Sequence, residues 1–165
     1  MIKTAYISIG SNLGDKLGNC TKAADLIDRI PCCKVMAKSD FYRTEPVEME
    51  SSEWFVNVVI SLSVQLSAHD LLKSLLQIET ALGRERGKIC APRTIDLDIL
   101  IFGQDIIDER GLTVPHPLMH LRRFVLIPIA QLDPDLNHPV IGETMAELLE
   151  KVPENGQAVI PLRER

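Results

Sequence analysis

Phe55-Val56-Asn57-Val58-Val59-Ile60-Ser61-Leu62-Ser63-Val64 is the stretch whose reading decides the fold. Side chains of a strand point alternately to opposite faces, so Val56, Val58, Ile60, Leu62 and Val64 share one face. Phe55, Asn57, Val59, Ser61 and Ser63 share the other. The first set reads as a core face, and the second keeps polar and aromatic groups away from it. Downstream, Ser67-Ala68-His69-Asp70 reads as a capping box opening a helix with Leu71, Leu72, Leu75, Leu76 and Leu82, which Gly83 closes. Upstream, residues 34–42 read as another strand, separated from the first by a loop at 45–53 that holds Pro46 and no periodic pattern.

The same reasoning extends to both ends. Thr4-Ala5-Tyr6-Ile7-Ser8-Ile9 alternates and stops at Gly10, which predicts a strand. After the turn at 11–15, Asp15 can cap a helix with Leu17, Cys20, Ala24 and Ile27 at helical spacing, ended by Pro31. Ile95-Asp96-Leu97-Asp98-Ile99-Leu100-Ile101-Phe102 predicts a strand before a turn at Gly103, and helices are expected at 124–132 and 144–151. The order is strand, helix, strand, strand, helix, strand, then helical additions. Consecutive second and third strands imply an antiparallel pair, with helices covering one face of the sheet. The predicted fold is therefore α+β, a ferredoxin-like βαββαβ core with a C-terminal extension. No internal repeat or linker divides it, so a single catalytic domain over 1–165 is expected.

Composition sets the class. The 165 residues, 45% hydrophobic and 25% charged, suit one packed domain that needs no disulfide or structural metal. Of the four cysteines, Cys32 and Cys33 are adjacent, and the spacing of none resembles a zinc site. A reducing, cytoplasmic location is expected. The N-terminus lacks the apolar run and cleavage site of a signal peptide, and no segment reaches the length needed to span a bilayer. A net charge of −5 disfavours a nucleic-acid partner. Yet arginines concentrate in residues 84–93, as a discrete anion site would require.

Chemistry enters with Asp96 and Asp98. If Leu97, Ile99 and Ile101 face the helices, both aspartates project together from the less covered face. Their repulsion is relieved by a divalent cation, and magnesium prefers carboxylate oxygen, completing its shell with water and phosphate. A solvated strand edge would explain the pair equally simply. Arg84 and Arg86 end the preceding helix and Arg93 lies just before the strand. Taken singly, each arginine reads as structural, and Arg84 suits a helix C-terminus. Beside two aspartates, their planar donors match phosphate oxygens, and positioning with charge neutralisation is what phosphoryl transfer needs. His116, rigidly held between Pro115 and Pro117, has Arg122 close behind it. His69, His120 and His138 have no comparable company and read as surface residues. Gly10-Ser11-Asn12-Leu13-Gly14 lacks the lysine and hydroxyl of a Walker loop and reads as a tight turn.

Together these segments resemble the 6-hydroxymethyl-7,8-dihydropterin pyrophosphokinases over nearly the whole chain. The resemblance rests on Gly10-Ser11-Asn12-Leu13-Gly14, Phe41-Tyr42-Arg43-Thr44, Asn57, Gly83-Arg84-x-Arg86, Pro92-Arg93-Thr94-Ile95-Asp96-Leu97-Asp98-Ile99-Leu100, and Leu112-Thr113-Val114-Pro115-His116-Pro117 with Arg122 and Phe124. It implies transfer of pyrophosphate from ATP to the hydroxymethyl oxygen of a reduced pterin, leaving AMP, in folate biosynthesis. It further implies two magnesium ions on Asp96 and Asp98, and charge stabilisation by Arg84, Arg86 and Arg93. ATP contacts would come from Glu79, Arg84, Arg93, His116 and Arg122. Pterin contacts would come from Thr44, Val47, Phe55, Asn57 and Phe124, with the aromatic pair sandwiching the ring and Asn57 reading its edge. A monomer acting on small molecules, without nucleic acid or membrane, is expected. The family often carries Arg-Trp-Gly where this chain has Ile89-Cys90-Ala91, so a loop arginine and an aromatic lid are missing. Two rivals remain on the residues alone. A two-metal nucleotidyl transferase would need a polynucleotide groove, and a small-molecule-sensing domain would have no use for arginines beside aspartates.

Overall fold

The computed structural model describes residues 1–46, 53–83 and 94–162. Strand β1 (Lys3–Ser11) leads into α1 (Lys16–Asp28), β2 (Cys33–Lys38), β3 (Tyr42–Thr44) and β4 (Phe55–Val64). Then come α2 (Ala68–Ala81), β5 (Asp96–Phe102), the short strands β6 (Ile107–Glu109) and β7 (Leu112–Val114), and a 3-10 turn at Met119–Leu121. Helices α3 (Arg123–Leu132) and α4 (Met145–Lys151) and strand β8 (Val159–Pro161) follow. The main sheet runs β5-β1-β4-β3-β8, with β2 on the same edge of β4 as β3, and every pairing is antiparallel. The molecule is thus a mixed α/β structure on an antiparallel sheet.

Local chemistry accounts for the boundaries. The Asp15 carboxylate accepts from the Gly18 amide and starts α1, while Ser67 Oγ accepts from the Asp70 amide and starts α2. The expected reciprocal arm is made instead in α4, where Thr144 and Glu147 cap each other. In α1, Leu17 is exposed and Ala23 joins Cys20, Ala24 and Ile27 on the buried face. The strand expected over 34–42 is two strands. Ser39 lies between them, its Oγ accepting from the Val59 amide while its own amide donates to Val59 O. A side chain has taken over a backbone rung there, and the chain bends. The β6–β7 hairpin and β8 were not expected. Each is three residues long, too short for periodicity to register.

Val56, Val58, Ile60, Leu62 and Val64 pack with Ala5, Ile7, Ile9, Leu97 and Ile99 under α1 and α2, as alternation requires. The C-terminal extension places helices on the other face as well. Val125, Leu126 and Ile129 of α3 and Met145 and Leu148 of α4 bury Tyr6, Val59, Leu100 and Ile101. Helices therefore flank both faces, where one face was expected. Ile101 also changes sides. A register shift between Tyr6 and Ile7 pairs Tyr6 with Ile101 but Ile7 with Ile99, so Leu100 and Ile101 both enter the second core. Asp96 and Asp98 precede the bulge and keep the expected face. That face is covered by α3 and α4 at its Tyr6-Val59-Leu100 end, and among the described residues Asp96 and Asn57 lie outside that second core.

Candidate active site

Three neighbouring strands build the site. Gly10 of β1 lies opposite Asn57 of β4 on one side and opposite Asp96 of β5 on the other. Directly paired residues share a face, so Asn57, Gly10 and Asp96 form one row across the sheet. Two strand spacings of about 4.8 Å put roughly 10 Å between the outer backbones. The next row is Val59, Ser8 and Asp98. Gly10 has no side chain where one would lie 2.5 Å from Asn57 Oδ1 and 3.7 Å from the Phe55 ring. The open floor between the amide and the carboxylate depends on this glycine, although its φ is ordinary.

On the β4 side, Asn57 is 4% exposed and Thr44 1% exposed. Asn57 Nδ2 donates to Thr44 Oγ1, which fixes the amide plane, and Phe55 opposite Thr44 is half-buried at the same edge. Phe124 lies in the first turn of α3, with the Arg122 guanidinium 5.6 Å above its ring. On the β5 side, Asp96 and Asp98 are both half-buried. Among the described residues, no group of three or more His, Cys, Asp or Glu side chains could enclose a metal ion. A cation held by this pair would have to complete its shell with water and substrate oxygens, which suits magnesium.

His116 sits against the carboxylates. Its amide donates to Leu100 O at 2.9 Å, and its Nδ1 accepts from the Leu118 amide at 3.3 Å. Burial and then the Arg122 cation push its pKa down to about 4, against the opposing pull of Asp96. The ring is thus neutral near pH 7. With Nδ1 accepting, the proton lies on Nε2, which leaves a donor for an anionic oxygen. A cleft of about 280 Å³ opens beside it, lined by Leu72, Leu97, Asp98, Leu112, Thr113 and His116 among others. The sequence reading missed this cleft because it missed the β6–β7 hairpin that forms its wall. A roomier cleft of about 510 Å³ lies between the 3-10 turn and α4, and it shares Arg122 alone with the expected site residues.

Glu79, expected near ATP, is 1% exposed on the sheet side of α2, and its Oε2 accepts the Leu97 amide at 2.9 Å. Arg84, Arg86, Arg93 and Val47, together with Ile89-Cys90-Ala91, lie outside the described residues. The structure therefore brings together Asp96, Asp98, His116 and Arg122, and on adjacent strands Thr44, Phe55 and Asn57. His138, read as a surface residue, is instead 4% exposed, with Nδ1 accepting from the Val140 and Ile141 amides. His69 is exposed beside Glu109, and the half-buried His120 packs edge-on to His138. The four cysteines include three in the described residues, and all three are free thiols.

Comparison with known proteins follows the same lines. A family profile described as 7,8-dihydro-6-hydroxymethylpterin-pyrophosphokinase (HPPK) matches residues 6–134. The chain is 40% identical over 153 residues to a 2-amino-4-hydroxy-6-hydroxymethyldihydropteridine pyrophosphokinase of Methylorubrum extorquens, covering 92% of this chain and 95% of that protein. A protein of the same description from Pseudomonas aeruginosa is 40% identical over 161 residues, covering 98% and 99%. Among solved structures, Plasmodium falciparum HPPK-DHPS with pteroate superposes with a TM-score of 0.74 at 13% identity, over 92% of this chain. The chain spans 42% of that longer protein, and the likeness shows the shared fold.

Proposed function

From the premise that the chain belongs to the 7,8-dihydro-6-hydroxymethylpterin-pyrophosphokinase family, we propose that its reaction runs across the Asn57-Gly10-Asp96 row. The chain is an ATP-dependent pyrophosphokinase, transferring pyrophosphate from ATP to 6-hydroxymethyl-7,8-dihydropterin in folate biosynthesis. The finer assignment rests chiefly on one observation. A buried, oriented amide and a carboxylate pair share one open face of adjacent strands, with only a glycine between them. The strand order, with α1 and α2 on one face, further supports a ferredoxin-like core, and we read residues 1–165 as one catalytic domain.

Asn57, held by Thr44, reads the amide-like edge of the pterin through paired hydrogen bonds, and Phe55 and Phe124 flank the ring. This directs the hydroxymethyl group over Gly10 toward Asp96. Val47 is assigned to the pterin by the family resemblance alone. Asp96 and Asp98 would hold magnesium, two ions in this reading, and their donor chemistry fits it. When bound, magnesium neutralises phosphate charge and polarises the reacting oxygens. The cleft at Leu72 and Thr113 takes the nucleoside end of ATP, while the His116 Nε2–H and the Arg122 guanidinium hold its phosphates. The pterin oxygen bonds to the β-phosphorus as the bond from that phosphorus to the α,β-bridging oxygen breaks. AMP leaves with the bridging oxygen, and the alcohol proton is released. Arg84, Arg86 and Arg93 stabilise the charge on the transferred group.

We read the protein as a cytoplasmic monomer acting on small molecules, without nucleic acid or membrane. Free thiols and the acidic charge support this, and no helix among the described residues is long and apolar enough to cross a membrane. Incubation with ATP, magnesium and the reduced pterin tests the reaction. AMP should accumulate in step with the pterin diphosphate. Formation of ADP, or of AMP without dependence on pterin, would contradict the assignment.

A further inference from the structure

Among the described residues, β5 is the last strand of the sheet and pairs with β1, so its outward peptide groups need partners from elsewhere. Two of these groups, at Leu97 and Leu100, are met from outside the sheet. The Leu97 amide, between Asp96 and Asp98, donates to Glu79 Oε2 at 2.9 Å, and Leu100 O accepts from the His116 amide at 2.9 Å. Glu79 makes its contact from the last turn of α2, on the face that carries Leu71, Leu75 and Ile78 into the core. By its position in the helix repeat an apolar side chain would pack there. A carboxylate 1% exposed is costly to bury without partners. What a carboxylate adds is strength, because a charge-assisted hydrogen bond is about twice as strong as a neutral one.

We propose that Glu79 is a positioning residue that clamps the β5 edge to α2 between Asp96 and Asp98 and so fixes the spacing at which the two carboxylates meet a divalent cation. Glu79 acts through the Leu97 backbone, which distinguishes it from a residue in contact with ATP. The inference rests on the reading of Asp96 and Asp98 as metal ligands. Without the clamp, the first residues of β5, from Asp96 on, lose an anchor to α2 and open locally more often. Loss of an outer partner that orients metal ligands typically costs 10- to 100-fold in metal affinity.

Two substitutions test this. Glu79→Gln keeps an acceptor of the same length, and Glu79→Met removes it while keeping volume and helix propensity. Two readouts are taken on the whole chain: exchange of the Leu97 amide by NMR, and Mn2+ affinity by electron paramagnetic resonance with a non-hydrolysable ATP analogue present. In Glu79→Met the Leu97 amide should exchange about 10-fold faster or more, and Mn2+ should bind about 10-fold more weakly. Glu79→Gln should stay within about threefold on Mn2+. Unchanged Leu97 exchange in Glu79→Met would overturn the clamp, as would a Gln variant that loses Mn2+ while Leu97 stays protected. Should the Met variant fail to fold, Leu97 exchange in Glu79→Gln decides: the weaker neutral acceptor should leave that amide exchanging faster than in the parent protein, and unchanged exchange would overturn the clamp. Asp96→Asn separates the underlying reading: if it keeps full Mn2+ affinity, the metal assignment fails whatever Glu79 does.

Discussion

Replacing Gly10 by Ala perturbs the site through a single methyl group. The backbone accepts the change, since Gly10 is absent from the positive-φ positions and lies mid-ladder between β4 and β5. The new Cβ would lie 2.5 Å from Asn57 Oδ1, where ordinary contact begins at 3.4 Å, so the amide must retreat by about 0.9 Å. It cannot retreat as a unit with Thr44, because both are buried at the β3–β4 pairing. A shift of that size weakens the short Asn57–Thr44 bond and turns the amide off its reading direction. Weakening that bond and accommodating the methyl group should cost about 1–3 kcal/mol of stability. Losing two neutral hydrogen bonds to the pterin edge should cost about 1–3 kcal/mol of binding, a rise in pterin KM of about 10- to 100-fold. ATP binding, on the far side of β5, should stay within about twofold. Steady-state kinetics with each substrate varied, beside a thermal melt, checks this. A pterin KM unchanged in a folded Gly10→Ala protein would refute the role given to the Asn57-Gly10-Asp96 row.

Asp96→Ala and Asp98→Ala should each lower turnover by several orders of magnitude while leaving the circular dichroism melt within a few degrees, since both side chains are half-buried outside the two cores. Near-normal turnover in either would show that the carboxylates hold no metal. His138 has its pKa lowered by burial and by His120, and its Nδ1 accepts two backbone amides. The unfolded chain therefore binds more protons below the ordinary His value of about 6.5. Stability from this group is fully present above that pH and is lost as pH falls below it, by at most about 1.4 kcal/mol per unit. Urea melts from pH 7 to 5 should show this slope, and His138→Asn should reduce it, leaving the part that His116 contributes in the same direction. Burial pushes the Cys20 thiol up to about 12, and it donates to Val56 O, whereas Cys32 is exposed. Peptide-level mass spectrometry after maleimide treatment at pH 7.5 should find Cys32 labelled within minutes and Cys20 only after unfolding.

The chain by itself determined the features that depend on near neighbours. Alternation in β4 placed Val56, Val58, Ile60, Leu62 and Val64 on the core face, and Asp15 and Ser67 marked helix starts by the chemistry of their side-chain oxygens. The same two-residue period put Asp96 and Asp98 on a common face, and the linear motifs around them carried the family likeness. Tertiary structure decided what depends on residues far apart in sequence. The bulge at Tyr6 and Ile7 turned Ile101 to the second core, because a register shift belongs to a pair of strands and leaves no mark on either alone. Helices α3 and α4 closed part of the face that alternation had left open, and β8 joined β3 across more than a hundred residues. The burial of His138, the use of Glu79 as a partner for Leu97, and the gap at Gly10 between Asn57 and Asp96 arise from such long-range pairing. Local spacing fixes which way a side chain points, but only the assembled sheet fixes what stands opposite it.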